Sequence, residues 1–203
     1  YWAWHLPTPS AQAANHVASP SFEPPAADLM SGASVEIVGL SKVYGSGRLK
    51  KLAVDDLNLS FYSGQISCLL GHNGAGKTTT LAVLTGLYPP TQGDCFVFGY
   101  SITRARRAVY RLLGICPQHD VLWHSLTVQE HLHLYATLKG VSKGGRMSAV
   151  RAMMDHVGIP EKAHTRAHAL SGGMKRKLSV GCALIGGSKA VLLDEPSSGM
   201  DPS

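Results

Sequence analysis

A glycine-rich segment at residues 71–78 constrains the fold of this chain more than any other feature. Its sequence, GHNGAGKT, fits the pattern G-x-x-x-x-G-K-[ST], in which glycines let successive backbone N–H groups curl around phosphate oxygens. Lys77 would bring a positive charge to the β- and γ-phosphates, and the Thr78 hydroxyl would reach a Mg²⁺ ion. The segment therefore predicts a site for ATP or GTP.

The residues on either side of this loop strengthen the prediction. Residues 65–70 are a short apolar run of strand length, and residues 78–84 predict a helix that Gly86 would end. The amino-terminal end of such a helix adds its dipole to a phosphate site. The alternative is a glycine-rich turn with an incidental lysine, and the strand–loop–helix setting disfavours it.

The composition is that of a globular chain with unevenly placed charge. Of its 203 residues, 44% are hydrophobic and 16% are charged, and the net charge is +6. Residues 1–41 contain no Lys or Arg, so the remainder holds 19 basic and 10 acidic residues. A basic domain suits nucleic acid or anionic lipid, but a nucleotide site with ordinary solvated Lys and Arg explains the charge as well and is favoured.

The first 33 residues differ in composition from the rest. Residues 1–33 are rich in Ala, Pro and Ser and are predicted to be a linker or disordered segment. Trp2 and Trp4 could mark the end of a membrane-interface belt, or they are stray aromatics. No run of about 18 apolar residues predicts a bilayer span. Because the chain does not begin with Met, we expect it to be a piece of a longer protein.

Strand and helix patterns alternate from Val35 onward. Short strands are predicted at residues 57–61, 95–98, 114–116 and 191–193, the last of them buried. Helices are predicted at residues 104–112, 127–140, 146–158 and 171–186, and Thr127 and Glu130 form a capping box at the start of the second. This order predicts an α/β core with a helical insert at about residues 119–187.

Cysteine and histidine spacing predicts no metal site. The cysteines share no C-x-x-C spacing and are predicted to be packed, reduced thiols of a cytosolic domain. They are Cys68, Cys95, Cys116 and Cys182. His131 and His133 would lie on one helix, where positions i and i+2 point apart, so shared ligation is not expected. His72 is expected to shape the glycine-rich loop rather than to do chemistry.

Two further segments carry chemistry. The apolar run 190–193 ends in Asp194 and Glu195, and the carboxyl edge of a parallel sheet is where ligands gather. Asp194 could hold Mg²⁺ and Glu195 could activate or orient water. Two solvated acids at a strand end are the alternative, which the loop at residues 71–78 disfavours.

The second segment is LSGGM at residues 170–174. Ser171 is a good helix cap, and Gly172 and Gly173 would bare the first N–H groups of that helix, which makes a second anion site. One nucleotide does not need two helix ends about a hundred residues apart along the chain. A second protomer explains both, if each copy closes the phosphate loop of the other.

In this order and spacing, residues 71–78, 170–174 and 193–196 resemble the nucleotide-binding domain of ABC transporters. The likeness covers residues 35–203, and segments 71–74, 86–91, 116–120 and 170–180 look like the A subfamily, whose members mostly move lipids. It implies an α/β P-loop NTPase core with a mixed, largely parallel sheet flanked by helices, an antiparallel β element and a helical subdomain. The ATP-binding domain would span residues 34–203.

The resemblance assigns roles by position. Tyr44 matches the aromatic that stacks on adenine, and Gln118 matches the glutamine that touches Mg²⁺ and water. Residues 120–126 would lie near the coupling helix of the transmembrane partner. Residues 198–201 match the loop that communicates across the dimer. The implied catalytic residues are Glu195, Lys77 and Gln118, and the implied Mg²⁺ ligands are Thr78, Gln118 and Asp194. The residues assigned to ATP are Tyr44, Gly71, His72, Asn73, Gly74, Ala75, Gly76, Lys77, Thr78, Thr79, Ser171, Gly172 and Gly173.

The chain departs from the family near its end. The family places a histidine that contacts the γ-phosphate on the strand after Asp201, and this sequence stops at Ser203. That strand would lie between residues 65–70 and 190–194, so we expect a C-terminally truncated domain with a gap in its sheet. Unpaired backbone groups at the gap would make the isolated piece unstable.

Three functions remain open at this stage. The leading one is the ATP-hydrolysing engine of a membrane transporter, with lipid cargo, on the cytoplasmic face of a membrane. Its partners would be a second such domain, head to tail, and transmembrane domains. The second is a soluble ABC-type ATPase acting on nucleic acid or ribosomes, suggested by basic residues 104–107 and 175–177. Without interleaved aromatics these read better as solvated helix faces, and no nucleic acid is expected. The third is ATP binding without turnover, against which Glu195 argues.

Overall fold

The computed structural model describes residues 33–195, without the side chain of Arg48. The predictions made for residues 1–32 and 196–203, including the linker and the segment 198–201, lie outside the described residues. The chain divides into two compact units, residues 1–110 and 111–203, which are described separately.

The first unit is built on an antiparallel sheet of four strands in the order β2-β1-β3-β4. The strands are β1 (Val35–Tyr44), β2 (Lys51–Phe61), β3 (Gln92–Val97) and β4 (Tyr100–Ser101). Two helices belong to this part of the chain, α1 (Lys77–Leu84) and α2 (Arg106–Leu112), of which α2 runs across the division between the units. The sheet supplies the antiparallel β element that the resemblance implied.

Strand β1 is central to this sheet because it pairs on both sides. It runs from Val35, opposite Phe61 of β2 and Val97 of β3, so its inward side chains have neighbours on either flank. Ile37 and Leu40 are fully buried as a result. The turn into β2 follows Gly45, which has φ +79°. A Cβ at this position would lie 2.5 Å from the Leu49 carbonyl oxygen, so any other residue would be strained there.

The predicted strand at residues 65–70 is absent, which corrects the sequence analysis. The segment is irregular and exposed, with Ile66 99% and Leu70 87% accessible. No strand among residues 33–195 pairs with it, and a strand exists only as a member of a hydrogen-bonded pair. The prediction of a packed Cys68 is wrong for the same reason, since its thiol is exposed.

The second unit combines a helical cluster with two parallel strands. Its helices are α3 (Val128–Leu138), α4 (Arg146–His156) and α5 (Gly172–Leu184), and β5 (Leu113–Cys116) pairs with β6 (Ala190–Leu193). Short 3₁₀ turns lie at Pro160–Lys162 and Ala167–Ala169. These helices confirm the helical predictions for residues 127–186. Leu132, Val150 and Leu178, one from each helix, are fully buried in a common core.

Local chemistry explains where α3 begins. The Thr127 hydroxyl accepts from the Glu130 backbone N–H, and the Glu130 carboxylate accepts from the Thr127 backbone N–H at 2.8 Å. Both bonds confirm the predicted capping box. Hydrogen bonds from the Thr127 backbone and then its side chain hold the pKa of Glu130 below its usual value.

Strand β6 is less buried than its apolar sequence predicts. Leu193 is 43% exposed, and the rest of the strand is half-buried. Among residues 33–195, β6 has a ladder partner on one side, β5, so its other edge lacks a strand that would cover it.

Cys95, Cys116 and Cys182 are buried as predicted, and burial raises the pKa of Cys95 and of Cys182 to about 12.

Gly114 allows α5 to approach β5. A Cβ at this position would lie 2.1 Å from the Ala183 carbonyl oxygen, so Gly114→Ala must push helix and strand apart. We expect a loss of about 3 kcal/mol, the upper range for overpacking, measured as a lowered thermal unfolding midpoint. Gly144→Ala is the matched control, because a Cβ there meets no atom within 4 Å. Equal midpoints for the two variants would contradict this packing.

Within residues 33–195, no helix is both long and apolar enough to cross a bilayer.

Candidate functional site

The glycine-rich loop of the first unit is curled by two residues in the left-handed region. Gly74 has φ +86° and Gly76 has φ +90°, and Gly76 is the residue from which α1 begins. A Cβ on Gly76 would lie 2.6 Å from the Ala53 carbonyl of β2, so this turn needs glycine for its dihedral angle and for space. The loop is therefore fixed against the sheet at the start of α1.

Lys77 folds back into the loop that precedes it. Its Nζ donates to the Gly71 carbonyl at 2.5 Å and to the His72 carbonyl at 3.1 Å. The Ala75 N–H also donates to the His72 carbonyl, at 3.1 Å. The ammonium group is thus held by two carbonyls of its own loop, and an oxyanion could replace them as its partner.

The first turn of α1 offers further donors and a hydroxyl. Thr78 is exposed and Thr79 is half-buried, and no side chain caps this helix end. Its first turn contains no acidic residue that would compete for the N–H groups. Such an end favours an anion. His72 donates from Nδ1 to the Asn73 carbonyl at 2.9 Å, which fits a residue that shapes the loop.

Tyr44 lies at the end of β1 in an aromatic pair that the sequence analysis missed. The rings of Tyr44 and Tyr88 meet edge to face with centroids 5.8 Å apart. Lys42 Nζ lies 5.2 Å from the Tyr44 centroid and donates to the Pro89 carbonyl at 2.8 Å. Lys42 and Tyr44 are two residues apart on β1 and therefore share one face of the strand. This spacing is the sequence signal that could have predicted the contact of Lys42 with Tyr44. Together these contacts hold Tyr44 half-buried.

In the second unit the predicted polar residues meet at the ends of two parallel strands. Gln118 follows β5, and Asp194 and Glu195 follow β6. The Gln118 Nε2 donates to Glu195 Oε2 at 2.9 Å, and the Asp194 backbone N–H donates to the Cys116 carbonyl at 2.9 Å. Glu195 has φ +46°, a strained angle for a non-glycine residue. The structure therefore brings together Gln118 and Glu195, 77 residues apart in sequence.

The LSGGM segment forms the start of α5 as predicted. The Ser171 hydroxyl caps the helix by accepting from the Met174 N–H at 3.3 Å. Ser171 and Gly172 are exposed, and a Cβ on Gly173 would meet no atom within 4 Å. The three residues thus present an open helix end.

Arg176 corrects the view of residues 175–177 as a solvated basic face. Its side chain is 1% exposed, whereas Lys177 beside it is exposed. The guanidinium donates to backbone carbonyls of residues 117, 118, 194 and 195. The sequence carries no signal for this burial, because Arg176 stands between two lysines and only the packing of α5 puts it, with Ser179, on a buried face of the helix.

Both ring nitrogens of His131 form hydrogen bonds with the backbone of its own unit. Its Nδ1 donates to the Thr127 carbonyl at 2.9 Å, and its Nε2 accepts from the Trp123 backbone N–H at 2.9 Å. The ring is fully buried, while His133 is exposed. Both nitrogens of His131 are thereby committed to the backbone.

A glycine-rich loop at the start of a helix, an antiparallel sheet and a helical cluster with a serine-capped helix define an ATP-binding cassette fold. The ABC transporter family profile matches residues 54–198. The chain therefore belongs to the ABC transporter family.

Individual relatives agree with this assignment. The chain is 52% identical over 180 residues to the phospholipid-transporting ATPase ABCA3 of Homo sapiens, covering 89% of this chain and 10% of that protein. It is 48% identical over 170 residues to the ATP-binding cassette sub-family A member 17 of Rattus norvegicus, covering 84% and 10%. The likeness to the A subfamily is thus confirmed, and the chain spans about a tenth of the length of these relatives.

Solved structures share the fold. The ATP-binding subunit of an ABC transporter superposes with a TM-score of 0.73 at 28% identity, over 83% of this chain and 68% of that one. This confirms the predicted α/β fold of the ABC ATPase type.

Proposed function

We propose that this chain binds and hydrolyses ATP as the nucleotide-binding domain of a transporter that moves lipids. The observation that carries the proposal is the contact of Gln118 with Glu195 at the ends of neighbouring parallel strands. The contact sets a carboxylate beside an amide at the carboxyl ends of parallel strands, where ligands bind. ATP binding without turnover does not require such a carboxylate. The phospholipid-transporting name of the 52% identical relative supports the lipid cargo.

The proposed reaction is attack of water on the γ-phosphorus with release of ADP and inorganic phosphate. Glu195 orients the water and accepts its proton, while Lys77 offsets the negative charge of the β- and γ-phosphates. The loop N–H groups near Gly74 bind phosphate oxygens. Tyr44, held by Tyr88, offers its ring to adenine. No covalent intermediate on the protein is needed.

Mg²⁺ fits the proposed ligands by their chemistry. Thr78 supplies a hydroxyl oxygen, Asp194 a carboxylate and Gln118 an amide oxygen, which are the hard donors that Mg²⁺ prefers. Gln118 uses its amide nitrogen toward Glu195, so its oxygen is the atom that would face a cation. When bound by these residues, the ion would offset negative charge on the phosphates during hydrolysis.

We further propose that ATP closes two domains head to tail. Ser171, Gly172 and Gly173 form an open helix end that would contact the triphosphate held by the loop of the partner domain. Transmembrane domains would be the second partner, and this domain would lie on the cytoplasmic face of their membrane. The exposed apolar side chains of Val121 and Trp123, 65% and 49% accessible, support docking of a coupling helix at residues 120–126.

Action on nucleic acid or ribosomes is the less supported alternative. Of the two basic segments that suggested it, residues 175–177 include Arg176, which is buried on backbone carbonyls and cannot contact phosphates of RNA. The remaining segment, residues 104–107, carries no interleaved aromatic residue.

The experiment compares activators of ATP hydrolysis by the intact protein that carries this domain. We expect phospholipid vesicles to raise turnover and labelled phospholipid to move in an ATP-dependent way. Single-stranded RNA and ribosomes should leave turnover unchanged. Stimulation by RNA or ribosomes, without any response to phospholipid, would contradict the proposal.

A further inference from the structure

Among the described residues of the second unit, Arg176 is the most deeply buried of the Arg, Lys, Asp and Glu side chains, and the function proposed above gives it no role. Arg176 lies on α5, five residues after Ser171, and only 1% of its side chain is accessible. Burying a guanidinium is costly unless its donors are satisfied and its charge is offset. Its partners therefore indicate what this position does.

The partners of Arg176 are carbonyl oxygens from two separate loops. Nη1 donates to the Pro117 carbonyl at 2.6 Å and to the Gln118 carbonyl at 3.3 Å. Nη2 donates to the carbonyls of Asp194 and Glu195 at 2.7 and 2.8 Å. One loop follows β5 and the other follows β6, so a single planar group joins the ends of both strands.

The carboxylate of Asp120 offsets the charge of Arg176. Asp120 Oδ1 lies 3.5 Å from Arg176 Nη1 and accepts from the Ser179 hydroxyl at 2.8 Å. Arg176 and Ser179 are one turn apart on α5, so the helix holds the loop of residues 117–120 at two points. The helix cannot shift relative to that loop without stretching this network.

We propose that Arg176 is a positioning residue that couples the LSGGM helix α5 to the pair Gln118 and Glu195. The inference rests on the proposed function, because it assumes that this pair acts on ATP. Arg176 fixes the backbone of both residues while their side chains meet at 2.9 Å. A movement of α5, when Ser171 meets the nucleotide of a partner domain, would be transmitted to the strand ends through this one group.

Lysine should replace Arg176 poorly. Its ammonium is a point charge without the planar fork that reaches both carbonyl pairs. Arg176→Lys keeps the charge beside Asp120 but should let the two loops drift apart. Misplacement of a reacting group by about 1 Å can cost about 100-fold in rate, so a partial loss of position should cost about tenfold.

The experiment measures ATP affinity and turnover per bound ATP in the intact protein. Arg176→Lys should lower turnover per bound ATP about tenfold and leave ATP affinity within about twofold, because the phosphate loop lies in the other unit. Asp120→Asn should shift the same two quantities in the same directions, and it tests the network should Arg176→Lys fail to fold. Lys177→Met, at the exposed neighbour, should change neither quantity.

A merely structural role predicts a different pattern. It would reduce the amount of folded protein and of bound ATP while turnover per bound ATP stayed constant, and this result in both variants would overturn the inference. The proposed function is judged by Glu195→Gln in the same assay. If Glu195→Gln abolishes turnover but the Arg176 and Asp120 variants do not lower it, the coupling alone is wrong. If Glu195→Gln has no effect, the proposed function and the inference that rests on it both fail.

Discussion

Replacing Glu195 with Gln is expected to lower ATP turnover by about 100-fold or more while ATP stays bound. The range reflects what a positioned general base contributes, roughly 100- to 10,000-fold. Gln is isosteric with Glu, and its amide oxygen can still accept the Gln118 N–H that now reaches Glu195 Oε2 at 2.9 Å. The change therefore removes the basicity of the group with little effect on its position.

The measurement is steady-state ATP hydrolysis by the intact protein, with equilibrium binding of a fluorescent ATP analogue beside it. Glu161→Gln is the matched control, because Glu161 is exposed on the short turn Pro160–Lys162. It should hydrolyse ATP at the normal rate. Unchanged hydrolysis in Glu195→Gln, or a loss of binding as large as the loss of turnover, would refute the role given to Glu195.

The second large effect is expected from Lys77→Ala, which should weaken ATP binding on the order of 100-fold and abolish measurable turnover. Hydrogen bonds to a charged group contribute about 1.5–3 kcal/mol each, and the loss of about 2.7 kcal/mol corresponds to 100-fold in affinity. The two carbonyls that Lys77 now holds, those of Gly71 and His72, are exposed, so water can replace it there. The loss should therefore fall on nucleotide binding rather than on folding.

Titration with nucleotide and a thermal unfolding scan without nucleotide separate these effects. Lys143→Ala provides the control, as Lys143 is an exposed lysine in the connection between α3 and α4. It should bind ATP as the unchanged protein does. A Lys77→Ala variant with normal affinity would show that the loop does not hold the phosphates.

Features encoded by neighbours in sequence were predictable. Thr127 and Glu130 start α3 through bonds that span three residues, and Ser171 caps α5 in the same way. The glycines of the loop were predictable because only the backbone freedom of glycine suits a curl around phosphate. Such local signals do not depend on what the rest of the chain does.

Features that depend on partners distant in sequence could not be predicted from the sequence. The apolar run 65–70 has the composition of a strand, but no strand within residues 33–195 pairs with it, so composition alone misled. Arg176 stands between two lysines and reads as part of a basic surface, yet the strand ends 59 residues before it and 18 after it hold it in the interior. The edge-to-face contact of Tyr44 with Tyr88 likewise joins two segments 44 residues apart.

The proposed site likewise contains some features that are encoded locally and others that depend on distant parts of the sequence. The motif residues were found because each motif is continuous in sequence, whereas the contact of Gln118 with Glu195 needed the parallel pairing of β5 with β6. Their adjacency was implied by resemblance to a known family rather than by spacing.

The central claim is that the loop near Gly74 and the serine-capped helix near Ser171 bind triphosphates belonging to opposite members of a pair. The direct measurement is ATP turnover by the intact protein, with light scattering to give the molar mass of the active particle and hence the number of nucleotide-binding domains that it contains. We predict that turnover appears only in the paired state. Undiminished turnover by a strict monomer with a single nucleotide-binding domain would contradict the claim.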